Sequence, residues 1–254
     1  VRVELQPAYV LHSRPFSDSS LIVDCLTPDF GRISLLAKGA RAAKSRQRNL
    51  LQPFLALSVS WQGKSNLKTL IGVETQSLRL PLQGKSLYCG FYLNELLVRL
   101  LPELDAMPEI LSIYQQALEA LSLPSARGGD SGFEVVLRRF ERQLLQLLGY
   151  EINFLYEALS SEPIHTHGHY RYEPEQGFIR VEGHLTRTEF ERAMLFQGEQ
   201  VLALAAHDYN QPATLYAAKC VMRLALQPLL GRKPLQSRKL FVDMVSSPAE
   251  LCES

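Results

Sequence analysis

Apolar positions along the chain follow two different periods. Up to about residue 80 they come in short runs rich in Val, Ile and Leu, at residues 8 to 13, 20 to 26, 32 to 37, 54 to 61 and 67 to 74. Turn signals separate them: Arg14-Pro-Phe-Ser-Asp-Ser, Thr27-Pro-Asp-Phe-Gly and Gln62-Gly-Lys-Ser-Asn. A series of this kind predicts a small closed barrel, of which the Greek-key OB-fold is the five-stranded case. Alternate residues of a strand share a face. Leu55, Leu57, Val59 and Trp61 are therefore expected inside the barrel, and so are Leu67, Thr69, Ile71 and Val73. In the third run Ile33, Leu35 and Ala37 face inward, which turns Arg32, Ser34 and Lys38 outward.

From Lys85 the period lengthens to that of helices. Residues 86 to 101 repeat around Leu87, Phe91, Leu96, Leu97 and Leu100, and residues 107 to 122 follow with Pro108 in the first turn. Pro124-Ser-Ala-Arg-Gly-Gly-Asp130 reads as a loop. A third helix, 131 to 148, opens on the capping box Ser131-x-x-Glu134. It shows one apolar face at Phe133, Val136, Leu137, Phe140, Leu144, Leu147 and Leu148, carries Arg138, Arg139, Glu141 and Arg142 on its far side, and stops at Gly149. Residues 160 to 184 turn polar, with a small hairpin expected from Tyr170-Arg-Tyr172 and Phe178-Ile-Arg-Val181. A second capping box, Thr186-x-x-Glu189, reopens helical sequence; residues 212 to 227 supply the last long helix before Pro228, and a short apolar segment spans 240 to 245. The pattern predicts an α+β chain of two domains: an OB-fold barrel over 1–80, then a helical domain over 81–254 with a small β insert at about 155–185.

Charge sharpens this picture. Residues 1 to 80 carry a net +6 and residues 81 to 254 a net −5, beneath an overall formal charge of +1. Phe30 to Val73 contains no Asp or Glu, and its densest basic part, Lys38-Gly-Ala-Arg-Ala-Ala-Lys-Ser-Arg-Gln-Arg48, lies between two apolar runs. That is the pattern of an exposed basic loop on a β-domain, and a polyanion such as a phosphate backbone is the partner it suits. Lys38, Arg41, Lys44, Arg46 and Arg48, with Arg14, Arg32, Lys64 and Lys68, are the candidate phosphate contacts. A merely solvated charge run is the alternative. An RNA-binding OB protein fits the same charges, since backbone phosphates do not separate DNA from RNA.

Enzymatic readings fail on residue chemistry. Gly63-Lys-Ser65 and Gly84-Lys-Ser86 resemble the end of a phosphate-cradling loop, but the Gly needed five residues upstream is Ser58 in one and Arg79 in the other. Gly129-Asp-Ser-Gly132 echoes a serine-protease nucleophile, yet its only histidine echo, Ala205-Ala-His207, follows the Ser in the wrong order. His165, His167 and His169 would share one face of a strand, with Glu162 or Glu173 as a further zinc ligand. Ligands from three positions of one strand spread over roughly 13 Å, at about 3.3 Å per residue. No catalytic centre, no metal and no cofactor are expected. The four cysteines, Cys25, Cys89, Cys220 and Cys252, include no C-x-x-C pair, and no apolar run reaches membrane-spanning length; a cytoplasmic protein with free thiols is expected, with no membrane partner.

Several motifs in order along the chain carry a resemblance: Tyr9-Val-Leu-His-Ser-Arg-Pro-Phe-Ser-Asp-Ser-Ser-Leu21, Gly31-Arg-Ile-Ser-Leu-Leu-Ala-Lys-Gly-Ala-Arg41, Leu51-Gln-Pro-Phe54, Tyr92-Leu-Asn-Glu-Leu-Leu97, Leu137-Arg-Arg-Phe-Glu141 with Leu148-Gly-Tyr150, and Lys233-Pro-Leu-Gln-Ser-Arg-Lys-Leu-Phe241. Together they resemble the RecO family of bacterial recombination mediators. The resemblance implies an N-terminal OB-fold, a helical domain with a zinc-finger-like insert, and binding and annealing of single-stranded and double-stranded DNA. It also implies cooperation with RecR and single-strand-binding protein in loading RecA. It implies that the acidic C-terminal tail of single-strand-binding protein is received at Arg138, with Leu137 and Phe140 beside it and Arg139 and Arg142 as further candidates. The resemblance also implies that many members carry two C-x-x-C pairs in the insert and bind structural zinc there, and this chain departs from that pattern. The first of two C-x-x-C pairs falls on Glu157 and Ser160, and no cysteines mark the second near Phe178 to Gly183.

Overall fold

The computed structural model describes residues 1–43, 45–76, 80, 82–123, 130–183 and 194–238, with residues 130 and 131 described in backbone only. Lys44, most of the loop after Pro124, the Ser131 side chain, the Thr186 to Glu189 capping box, the segment 240 to 245 and Cys252 lie outside these described residues. Two compact units result: Val1–Leu123 together with the segment starting at Pro234, and Pro124–Lys233.

The first unit is built on five strands, β1 (Arg2–Phe16), β2 (Ser20–Thr27), β3 (Gly31–Ala37), β4 (Ala56–Gln62) and β5 (Leu67–Thr75), closed in the order β1-β2-β3-β5-β4. This is an OB-fold-like barrel. A single turn of helix, α1 (Gln47–Leu50), lies between β3 and β4. Ile33, Leu35, Ala37, Leu55, Leu57, Val59 and Trp61 all fill the interior, and Phe30 meets the Trp61 indole edge-on at 5.1 Å. The expected inward face of β5 is half wrong. Leu70 points in and Ile71 is exposed, because Trp61 pairs with Leu70 while Ser60 pairs with Gly72. That bulge inserts one residue and reverses the alternation midway. β1 is longer than its pattern, which breaks at Leu5 (φ 50) and at the register shift between Val3 and Gln6.

A second bulge, between Val10 and His12, is answered from α2 (Lys85–Leu100). The buried Asn94 amide donates to the carbonyl of Leu11 at 2.9 Å and accepts the hydroxyl of Tyr114 at 2.6 Å; Tyr114 lies on α3 (Pro108–Ser122). A carbonyl left without a ladder partner inside the protein needs such a donor. Glu95, the next residue of the same motif, accepts the backbone N–H groups of Gln236 and Ser237, both at 2.8 Å, and the Ser237 hydroxyl at 2.6 Å.

In the second unit α4 (Asp130–Leu147) packs on α6 (Pro212–Leu230), with α5 (Gly198–Ala205) against α6. A small sheet, β7-β6-β8, joins β6 (His169–Glu173), β7 (Gly177–Arg180) and β8 (Leu195–Gln197). The expected hairpin is β6 and β7, and β8 adds a third strand. Its core is aromatic: Phe178 lies 5.2 Å from Tyr172, 5.6 Å from Phe154 and 6.1 Å from Phe196. A five-stranded barrel followed by helices with a small β insert is the fold class expected from the sequence.

Candidate nucleic-acid and partner sites

The basic loop leaves β3 through a turn in which Gly39 takes a positive φ of 70°. Ala40 is then driven fully into the barrel core, which anchors the loop from beneath. Arg41 anchors it from the side: its backbone N–H donates to the Ser19 carbonyl at 2.8 Å and its guanidinium to the Ser17 carbonyl at 2.9 Å. On this base Lys38, Arg41, Arg46 and Arg48 are exposed, as is Lys64 in the β4–β5 turn. Lys38, Arg46, Arg48 and Lys64 have no carboxylate partner among the described residues. Lys68 is half-buried, its ammonium donating to the Ser65 carbonyl at 3.1 Å.

Arg32 and Arg14 are placed differently. Alternation turns Arg32 out of the barrel, but the chain between α2 and α3 covers it, leaving its side chain only 15% exposed. Its guanidinium donates to the Leu101 carbonyl at 3.0 Å and lies 3.4 Å from Glu103. Next to it the Ser34 hydroxyl donates to Asp24 at 2.6 Å, and Arg14 approaches the same carboxylate at 3.6 Å. Gly31 permits the covering: a Cβ there would stand 1.8 Å from the Asp105 carbonyl oxygen. Oligonucleotides on five-stranded barrels use the face of strands 2 and 3 with the loops between strands 1–2 and 4–5. Here that face is closed by the chain's own residues 101–105 and carries two carboxylates, so Ser34 and Arg32 do not stand free. What stays open is the basic loop, the β4–β5 turn and the β1–β2 turn.

On α4 the reading of a far side carrying Arg138 and Glu141 is corrected. Arg138 is 7% exposed and Glu141 1% exposed, and the two meet at 3.0 Å inside the unit. Glu134, one turn before Arg138, meets Lys219 at 2.7 Å instead. Phe140 is buried in the core and Leu137 half-buried, so Phe140 offers no open slot. Such a slot exists one turn on. A cavity of about 630 Å³ is lined by Arg142, Ile152, Phe154, Leu155, Leu202 and Ala205, among others. The Arg142 guanidinium lies 4.6 Å above the Phe154 ring centroid and donates to the Leu204 carbonyl. Arg139 is exposed over Tyr209, at 5.9 Å. Burial, then the charges of Arg142 and Arg139, holds the His207 imidazole below its ordinary range.

In the insert His165 and His167 lie in the turn before β6 and only His169 belongs to the strand, so the row does not form one face. At the position where the resemblance places the first cysteine of the pair, the carboxylate of Glu157 accepts backbone N–H groups from Leu159 at 3.0 Å, from Ser160, and from Arg180 on β7 at 3.2 Å. These bonds, the hydroxyl and N–H of Ser160 first, hold the carboxyl below its ordinary range. A carboxylate already committed to three amides does not fit a metal ligand, and among the described residues no three His, Cys, Asp or Glu side chains gather. Through these bonds Glu157 ties the two halves of the insert together.

An OB-fold-like barrel carrying an anchored basic loop, followed by helices with a small β insert, is the architecture of a DNA-binding protein. The family profile for the N terminal of recombination protein O matches residues 2–79 and the one for its C terminal matches residues 81–239; the chain belongs to the RecO family of bacterial DNA repair and recombination proteins. It is 47% identical over 241 residues to the DNA repair protein RecO of Cellvibrio japonicus (strain Ueda107), covering 95% of this chain and 98% of that protein. It is 43% identical to the proteins of the same name from Haemophilus influenzae (strain PittGG), over 95% of this chain and 97% of that one, and Yersinia pestis (strain Pestoides F), over 96% of each. No helix among the described residues is long and apolar enough to cross a membrane.

Proposed function

We propose that the chain acts in the cytoplasm as a recombination mediator that binds single- and double-stranded DNA, anneals complementary strands, and works with RecR on strands covered by single-strand-binding protein to help load RecA. The observation that carries this reading is the basic loop, anchored through Ala40 and Arg41, whose Lys38, Arg46 and Arg48 are exposed and without a carboxylate partner among the described residues. Cations so placed replace the counterions of a phosphate backbone, and bringing two strands onto one positive surface favours their pairing. The acidic tail of single-strand-binding protein, ending in an aromatic ring and a carboxylate, suits the cations of α4 beside the cavity at Phe154 and Leu155.

The test is the salt dependence of single-strand binding and of annealing. Each phosphate contact contributes a log-log slope of about −0.7, so Lys38→Gln, Arg46→Gln and Arg48→Gln together flatten the slope by about two units. An unchanged slope places the DNA elsewhere. Competition between DNA and RNA oligomers of one sequence separates this reading from an RNA-binding one.

A further inference from the structure

The β1–β2 turn holds a residue that neither the strand pattern nor the family motif singles out. Phe16, the last residue of β1, is 44% exposed although it belongs to a barrel whose other aromatic rings are packed. It faces the same side of β1 as Arg14, two residues earlier. The turn after it is fixed on both sides by one residue of the basic loop, since Arg41 donates to the carbonyls of Ser17 and Ser19. Ser17 takes a positive φ of 49° in that turn. The result is an aromatic side chain left partly open to solvent beside a braced turn, next to Ser17, whose carbonyl the Arg41 guanidinium holds. Asp18 occupies the tip itself and is exposed. A phosphate is repelled there, whereas a neutral ring is not.

We infer that Phe16 is a stacking platform for an unpaired base of a single strand whose phosphates run along the basic loop. The inference rests on the DNA-binding reading and deepens it. An aromatic face beside a positive groove is the arrangement that holds single strands without reading their sequence. Because the turn is already tied down by Arg41, little freedom is lost when the base docks. A paired base keeps its faces inside the duplex stack, so the platform adds affinity for single strands only and gives the protein a preference that phosphate contacts alone do not supply.

The experiment compares the full chain with Phe16→Ala, Phe16→Leu and Phe16→Trp on an oligothymidine strand and on an abasic strand of equal length. Phe16→Leu keeps the apolar volume and removes the π face. The expected result is a loss of about ten-fold on oligothymidine for both the Ala and Leu variants, equivalent to about 1.4 kcal/mol. Affinity for the abasic strand stays at the parent value. In Phe16→Trp the affinity is kept, and the emission of the exposed indole is quenched by oligothymidine and not by the abasic strand; Trp61 is fully buried and gives no such signal. If the parent binds both strands and the Ala and Leu variants match it on oligothymidine, the platform is overturned while DNA binding stands. If the parent binds neither strand, the DNA-binding reading falls first.

Discussion

Two regions of the molecule are rich in arginine, and they use it in opposite ways. On the barrel Arg46 and Arg48 stand in solvent with no carboxylate partner among the described residues, and Arg41 spends only backbone contacts to stay in place. On α4 Arg138 is buried against Glu141 and Arg142 is folded over Phe154. Cations of the first kind keep their charge available to a polyanion along its length, and lose that attraction as salt screens it. Those of the second kind have traded charge for position, and can recognise only a group brought to one place.

The sharpest way to break this contrast is to remove a partner. Glu141→Ala leaves the Arg138 charge buried and should cost the second unit about 3–5 kcal/mol, while Arg46→Ala on the barrel should change stability by less than about 0.5 kcal/mol. Denaturant unfolding measures both. Replacing the pair together, Arg138→Met with Glu141→Leu, should recover most of the loss, because an apolar pair of similar volume removes the desolvation cost. Equal effects of Glu141→Ala and Arg46→Ala would show that the two arginine sets do not differ. The burial also means that Arg138→Ala alone confounds recognition with folding.

A cleaner probe of the second set is Arg142→Ala. It should weaken an acidic peptide ending in Phe by about 1.5–3 kcal/mol, as loss of a charged hydrogen-bond donor does. The salt slope for bare DNA should stay at the parent value. Titration calorimetry with the peptide, run beside the DNA measurement, checks this; a parallel loss of both activities would mean that one surface serves both ligands.

The gentlest effect is expected at Glu157. Its carboxyl is held below its ordinary range, so its contribution to stability is fully present above the pKa of the unfolded chain, near about 4.3, and is lost as pH falls through the lower folded value. The protection of the Leu159, Ser160 and Arg180 amides, taken relative to the intrinsic exchange rate at each pH, should fall as pH drops below the unfolded-chain value in the parent and show no such fall in Glu157→Gln. Chelators should leave the melting temperature unchanged and elemental analysis should find far less than one zinc per chain; one zinc per chain would overturn the carboxylate as the tie.

How much of this was legible follows from how local each cause is. β4 was readable because one buried face imposes strict alternation, β2 and β3 because they are short apolar runs bounded by turn signals, and α2, α3, α4 and α6 because their apolar stripes run over several turns. The phase of β5 was not, since a bulge is a property of the pairing with β4. Nor was the fate of Arg32, whose cover comes from residues some seventy positions on. A neutral buried pair such as Arg138 with Glu141 looks on a helical wheel like two surface charges. The eight residues of α5 and the three of β8 were too short to show a period. The exposed loop cations were legible because no Asp or Glu lies nearby in sequence. Phe16 was missed because an aromatic in a turn-rich stretch gives no periodic signal, and its exposure is visible only once the barrel is closed.

Glu95 also sets an order of events during synthesis. It is made long before its partners: Gln236 follows 141 residues later. At ribosomal speeds of roughly 5–20 residues per second that is a delay of roughly 7–28 s. Throughout it the barrel and its first two helices can fold with the carboxylate of Glu95 facing water, while the whole second unit, residues 124–233, emerges and folds as an insertion into the first. The first unit is the first to start and the last to finish, and a chain that stops short of residue 236 keeps every strand of the barrel yet never receives its closing clasp.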